Sequence, residues 1–194
     1  MSIFCYHIAM PHIHSETNQH DLTVTAYIVR VDTLEPKVLL HMHRKLNILL
    51  PVGGHVELSE TPWQAIAHEL IEESGYSLDQ LDILQPKSRI KKMTKVVQHP
   101  YPLSMNTHVI PTNHFHTDIE YAFVADSDPA MNAQKGESLY FQWLNSDELC
   151  NLPNDTIFDN TREVYKFILD EALKNWDRVV TKDFLLDFPK EYLS

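Results

Sequence analysis

Three glutamates set three and four residues apart are the side chains of this chain best placed to do chemistry. Glu69, Glu72 and Glu73 fall within the stretch Gly53–Tyr76, and at about 100° per residue a helix gathers them on one face. Like charges at these spacings repel and weaken an isolated helix. A hard divalent cation offsets that repulsion, because Mg²⁺ takes oxygen ligands, commonly one or two carboxylates with waters and substrate phosphates. The competing reading is a solvated acidic face, the commoner fate of a run of charge.

The elements that must position these carboxylates are legible on either side of them. Thr61 fits an N-cap, Pro62 the first helical position, where its missing N–H costs nothing, and Gln64 the partner in a capping box. Trp63, Ile66, Ala67 and Leu70 form an apolar stripe on another face, and Gly75 fits the helix stop. Before the helix, Pro51-Val52-Gly53-Gly54 reads as a turn whose glycines let a backbone carbonyl approach a bound ion.

The spacing across this segment resembles the signature of the Nudix hydrolase (MutT-like) family, G-x5-E-x7-R-E-U-x-E-E-x-G-U with U a bulky apolar residue. Gly54, Glu60, Glu69, Leu70, Glu72, Glu73, Gly75 and Tyr76 fall in register, and His68 stands where the family has Arg. The resemblance implies an α/β/α sandwich with a mixed β-sheet. It also implies hydrolysis of a diphosphate linkage in a nucleoside diphosphate joined to another moiety: a nucleotide sugar, a dinucleotide or a nucleoside triphosphate. By the same correspondence the Gly54 carbonyl, Glu69, Glu72 and Glu73 hold Mg²⁺, or Mn²⁺ in its place, and Glu60 supports the cluster. The general base stays open between Glu73 and Glu137, since family members differ in where they keep it. Glu137 through Leu149 is similar to the closing segment of many Nudix domains.

His68 departs from the family pattern. A free imidazole is charged mainly below about pH 6.5 and lacks the planar fork of guanidinium. The expectation is weaker steadying of the acidic cluster, and a gain in turnover when His68 is replaced by Arg. A rival class is a Nudix-like module that binds a nucleotide without cleaving it; His68 favours it, while the intact Glu69, Glu72 and Glu73 oppose it. Isomerisation of a diphosphate ester ranks lowest, with no Cys beside the motif.

The composition narrows the setting. The 194 residues suit one domain with a sizeable core, and 43% are hydrophobic, as in a soluble globular protein. With 27 acidic against 16 basic residues the formal charge is −11, which opposes an extended grip on nucleic acid but permits a small phosphorylated substrate if metal masks the charge. Cys5 and Cys150 form no ligand pair, no secretory leader is apparent, and no stretch approaches a membrane span. The expected address is the cytoplasm. The resemblance leaves a homodimer open.

Along the chain, residues 1–20 read as an N-terminal arm whose His7, His12, His14 and His20 match no usual metal spacing. The Nudix-like domain is expected over 20–175, and 176–194 as a tail packed on the domain or on a partner subunit. Leu22–Val31 and Lys37–His43 predict a hairpin, at whose end Arg44 and Lys45 are candidates for a substrate phosphate. Lys87–Val97 predicts a basic strand, and His99–Asn113, with three prolines, a long loop bordering the pocket. His114–Asp126 predicts a strand with His114, His116, Asp118 and Glu120 on one face; such a row suits a transition metal but more often lines a wet cleft, so no second metal site is assigned from it. Asp159–Asn175 predicts an amphipathic helix with Val164, Phe167, Ile168 and Ala172 on its apolar side.

Overall fold

The computed structural model describes residues 18–110, 114–134 and 140–189. Glu137 and the adjoining Gly136 and Leu139 lie outside the described residues, as do Cys5, His7, His12 and His14.

One sheet organises the molecule. Its centre is a parallel pair, β1 (His20–Arg30) with β7 (His114–Ala125), in register from His20↔Phe115 to Arg30↔Ala125. The two central strands then share themselves among further partners. The N-terminal part of β1 pairs with β4 (Val52–His55) and its far end with β2 (Lys37–His43), while the first part of β7 pairs with β6 (Ser104–Ile110) and its last residues with β5 (Leu81–Gln85). Strands β3 (Ile48–Leu50) and β8 (Phe141–Leu144) flank β2. Beyond β5 the edge is β9 (Asp177–Val180), so the chain after the last helix returns to the sheet. The sheet thus divides, and β4-β1-β7-β6 forms a wing of its own.

Alternation along β1 and β7 feeds two cores. Val24, Ala26, Ile28, Tyr121 and Phe123 face α1 (Pro62–Glu69), whose Trp63, Ala65 and Ile66 are buried; Tyr27, Val29, Ala122 and Val124 face the opposite layer. That layer is α3 (Asp159–Phe167), extended through Ile168–Ala172 and Leu173–Asn175, which buries Tyr165, Ile168 and Ala172; the short α2 (Ser146–Cys150) precedes it. The result is the expected three-layer α/β/α sandwich on a mixed sheet. Trp63 pins the first layer: fully buried, it packs against Tyr121, Phe123 and Phe184, and truncating so large a core side chain to Ala costs about 3–5 kcal/mol.

Three local expectations are corrected. Residues 87–97 form no strand: both edges of β5 are occupied, by β7 and β9, and Arg89 instead donates to Asp177 at 2.9 Å and to the Pro86 carbonyl at 2.7 Å. Within the supposed loop His99–Asn113, β6 is a regular strand because every one of its residues finds a partner on β7, while its own mostly exposed faces hide the alternation. In α3 the buried aromatic is Tyr165, which donates to the Leu39 carbonyl; Phe167 is 44% exposed and meets Trp176 edge-on. Among the described residues no helix is long and apolar enough to cross a membrane.

Candidate active site

The helix start behaves as its sequence dictates. Thr61 Oγ1 accepts from the Gln64 N–H at 3.3 Å and Gln64 Oε1 accepts from the Thr61 N–H at 2.8 Å, closing the capping box ahead of Pro62. Beyond Glu69 the helix widens into a π turn over Leu70–Ser74 and stops at Gly75, whose φ is +77°. A side chain there would be strained and would lie 2.0 Å from the Met131 carbonyl, so only glycine ends the helix this tightly.

The glycine loop and the helix meet at two points. At Gly54 an added Cβ would stand 2.0 Å from Glu69 Oε1, so the loop backbone lies directly against that carboxylate. At Gly53 the backbone N–H donates to Glu73 Oε2 at 2.9 Å. His41 of β2 approaches the same oxygen at 3.5 Å. Burial pushes the His41 imidazole down to about 4, so at neutral pH the ring beside Glu73 is neutral and the contact is no ion pair. His41 was not anticipated from the sequence, since nothing in one-dimensional spacing ties β2 to the end of α1.

His68 lies between two acids, with Nδ1 3.0 Å from Glu60 Oε2 and Nε2 3.4 Å from Glu69 Oε1. The hydrogen bond to Glu69 chiefly, with the charges of Glu60, Glu69 and Glu72, pushes the imidazole up to about 9 against its partial burial. The expectation that this ring is charged mainly below pH 6.5 is therefore corrected: its acidic neighbours keep it protonated at neutral pH, and it bridges Glu60 to Glu69. Glu60 also accepts from the Glu57 N–H at 2.8 Å, which ties the loop to the bridge.

The donors gathered here are carboxylate oxygens and the carbonyl of a loop that a Cβ would displace, a set that fits a hard divalent cation. Glu73 accepts from the Gly53 N–H, His68 bridges Glu69 and Glu60, and the Glu72 backbone carbonyl accepts from the Gln134 N–H. Among the described residues, three ligand atoms within 4.8 Å of one another occur at Asp21, His114 and His116 and not at these glutamates. Arg44 and Lys45 sit exposed on the turn joining β2 to β3.

The polar face of β7 divides in two. Asp118 accepts from Thr25 at 2.7 Å and Thr23 at 3.1 Å, and Glu120 from Tyr27 and Asn106, each at 3.1 Å. Burial raises both acids, with the Asp118 charge adding to the rise at Glu120. His114 and His116, at the other end of the row, collect around Asp21 instead.

Comparison with known proteins follows the same lines. The family model of the NUDIX domain matches residues 20–166. A hydrolase of the NUDIX family from Clostridium perfringens is 28% identical, with a TM-score of 0.62 over 76% of this chain and 97% of that one. Two more distant structures share the fold: the C. elegans Ap4A hydrolase, at 13% identity and a TM-score of 0.57 over 76% of this chain and 95% of its own, and the E. coli dihydroneopterin triphosphate pyrophosphohydrolase, at 18% and 0.55 over 81% and 100%. No curated protein sequence matches the chain.

Proposed function

Because this chain belongs to the Nudix hydrolase family, we propose that it is a Mg²⁺-dependent pyrophosphohydrolase acting on a nucleoside diphosphate linked to a further group. The observation that carries the reading is the closure of the glycine loop over the helix, with Gly54 against the Glu69 carboxylate and the Gly53 N–H on Glu73. Glu69, Glu72, Glu73 and the Gly54 carbonyl would hold the metal. When bound, Mg²⁺ supplies charge neutralisation on the diphosphate and lowers the pKa of a coordinated water.

The protein's own groups do the rest. The protonated His68 holds Glu60 and Glu69 at fixed separation, so the helix presents its acids without first having to overcome their mutual repulsion. Glu73 is the described candidate to take a proton from the attacking water, its second oxygen steadied by Gly53, and Glu137 is the competing base. Arg44 and Lys45 lie one short strand and a turn before Gly53, where flexible cations can meet the outer phosphates of a substrate.

The test is phosphate or nucleotide release from dinucleotides, nucleotide sugars and nucleoside triphosphates with Mg²⁺ and with chelator, for wild type beside Glu73→Gln and Glu137→Gln. Turnover that requires Mg²⁺ and collapses in one of the two variants supports the reading. Binding of a panel member with no turnover in the wild type establishes the non-catalytic module instead.

A further inference from the structure

A second cluster stands on the other side of β4, assembled from three strands. In register, Asp21 of β1 is paired with His116 of β7; His114 lies two residues earlier on the same face of β7, and His55 of β4 follows Gly54. Successive residues of a strand face opposite sides, so Gly54 looks toward Glu69 and His55 toward Asp21. The Asp21 carboxylate is fully buried, and its Oδ2 lies 3.6 Å from His55 Nε2, 3.7 Å from His114 Nε2 and 4.0 Å from His116 Nε2, with the two latter nitrogens 3.3 Å apart. A buried carboxylate oxygen close to imidazole nitrogens is a donor set of the kind that transition-metal ions take.

We propose that Asp21, His114 and His116 bind one divalent transition-metal ion, of which Zn²⁺ is the representative, with water in the fourth position. The site goes beyond the hydrolytic reading and does not depend on it. Ligands held about 2.0–2.1 Å from a tetrahedral Zn²⁺ stand ~3.3 Å from one another. The three distances among Asp21 Oδ2, His114 Nε2 and His116 Nε2 are 3.7, 4.0 and 3.3 Å, so they reach that value with movements of at most about 0.7 Å. Two nitrogens and one oxygen select a borderline-soft ion over Mg²⁺, which keeps to oxygen, so the two clusters on either side of β4 divide the metals between them. The His114 and His116 rings are tilted against each other with centroids 5.2 Å apart, and His55 lies edge-on to His116 at 5.0 Å. His108 of β6, paired with His116 of β7, meets that ring edge-on with centroids 5.5 Å apart. The bound ion joins β1 and β7, the central pair of the sheet.

The experiment uses the full-length chain stripped with chelator. Zn²⁺ is titrated in competition with a chromophoric chelator, Co²⁺ is added separately to read coordination from its visible spectrum, and folding of every variant is checked by circular dichroism without metal. The expected result is one equivalent of Zn²⁺, a tetrahedral Co²⁺ spectrum, and affinity reduced by at least ~100-fold in Asp21→Asn, His114→Asn and His116→Gln, with Glu69→Gln binding Zn²⁺ as the wild type does. Should one of the three variants fail to fold, the other two and the wild-type Co²⁺ spectrum still decide. Wild-type protein that takes up no stoichiometric Zn²⁺ at micromolar concentration overturns the proposal. So does Zn²⁺ binding that survives all the folded variants, or that is lost in Glu69→Gln instead.

Discussion

The two clusters on either side of β4 are built in opposite ways. The acidic one takes Glu69, Glu72 and Glu73 from consecutive turns of one helix and the glycines from the turn just before it, so its parts arrive together once the helix is capped. The histidine cluster takes its members from β1, β4 and β7, and exists only because Asp21 pairs with His116. A slip of one residue would turn Asp21 to the opposite face of the sheet. Local assembly tolerates movement elsewhere in the fold, whereas assembly by register ties a site to the whole sheet.

The largest test of this contrast is Glu73→Gln, expected to lower Mg²⁺-dependent turnover roughly 10³-fold while Zn²⁺ uptake and far-ultraviolet circular dichroism stay as in the wild type. Loss of both functions at once would mean the clusters form one site. Next comes Gly54→Ala. Its new methyl would stand 2.0 Å from Glu69 Oε1, so the loop or the carboxylate must yield, and roughly 10²-fold of activity should go with the misplacement; activity within error of wild type would show that the close approach has no role in turnover.

Asp21→Asn probes the other side. Hydrolysis should change by less than ~3-fold, as expected for sites without shared partners, and a steady-state assay with Mg²⁺ alone measures it. Smaller still is the effect of His68→Arg. Because His68 is held up to about 9 and is already charged at neutral pH, turnover there should shift by less than about 3-fold, in contrast to the gain that the free imidazole value suggests; a large gain in a pH-stat assay at neutral pH would restore the simpler view. The same proton makes a linked prediction for chelator-treated protein. Its folded-state value lies above the ordinary 6.5, so the stabilisation is complete below about 6.5 and disappears as pH rises through about 9. Thermal unfolding followed from about pH 6 to about pH 10 should show that decline in the wild type and not in His68→Gln, with a small amplitude because the ring is partly exposed.

The contrast also explains what could be read without coordinates. Thr61, Pro62, Gln64 and Gly75 act on neighbours within one turn, so the helix and its limits were legible from residue types alone. The row His114, His116, Asp118, Glu120 was legible as a strand face, but not its division: Thr23 and Thr25 claim Asp118 while Asp21 and His55 surround the histidines, and those partners come from distant segments. Residues 87–97 and β6 differ from the sequence expectation for the same reason, since a strand needs an available edge as well as suitable residues.

What the sequence by itself determined is the helix, its caps and the acid spacing, because short-range hydrogen bonds and hydrophobic period act along the chain, while the layer order followed from the resemblance to the Nudix family. Only the tertiary structure decided that His68 keeps its proton between Glu60 and Glu69, that His41 reaches Glu73, and that Asp21 meets three imidazoles. Burial and strand register set these contacts, and both are properties of the packed sheet and its layers.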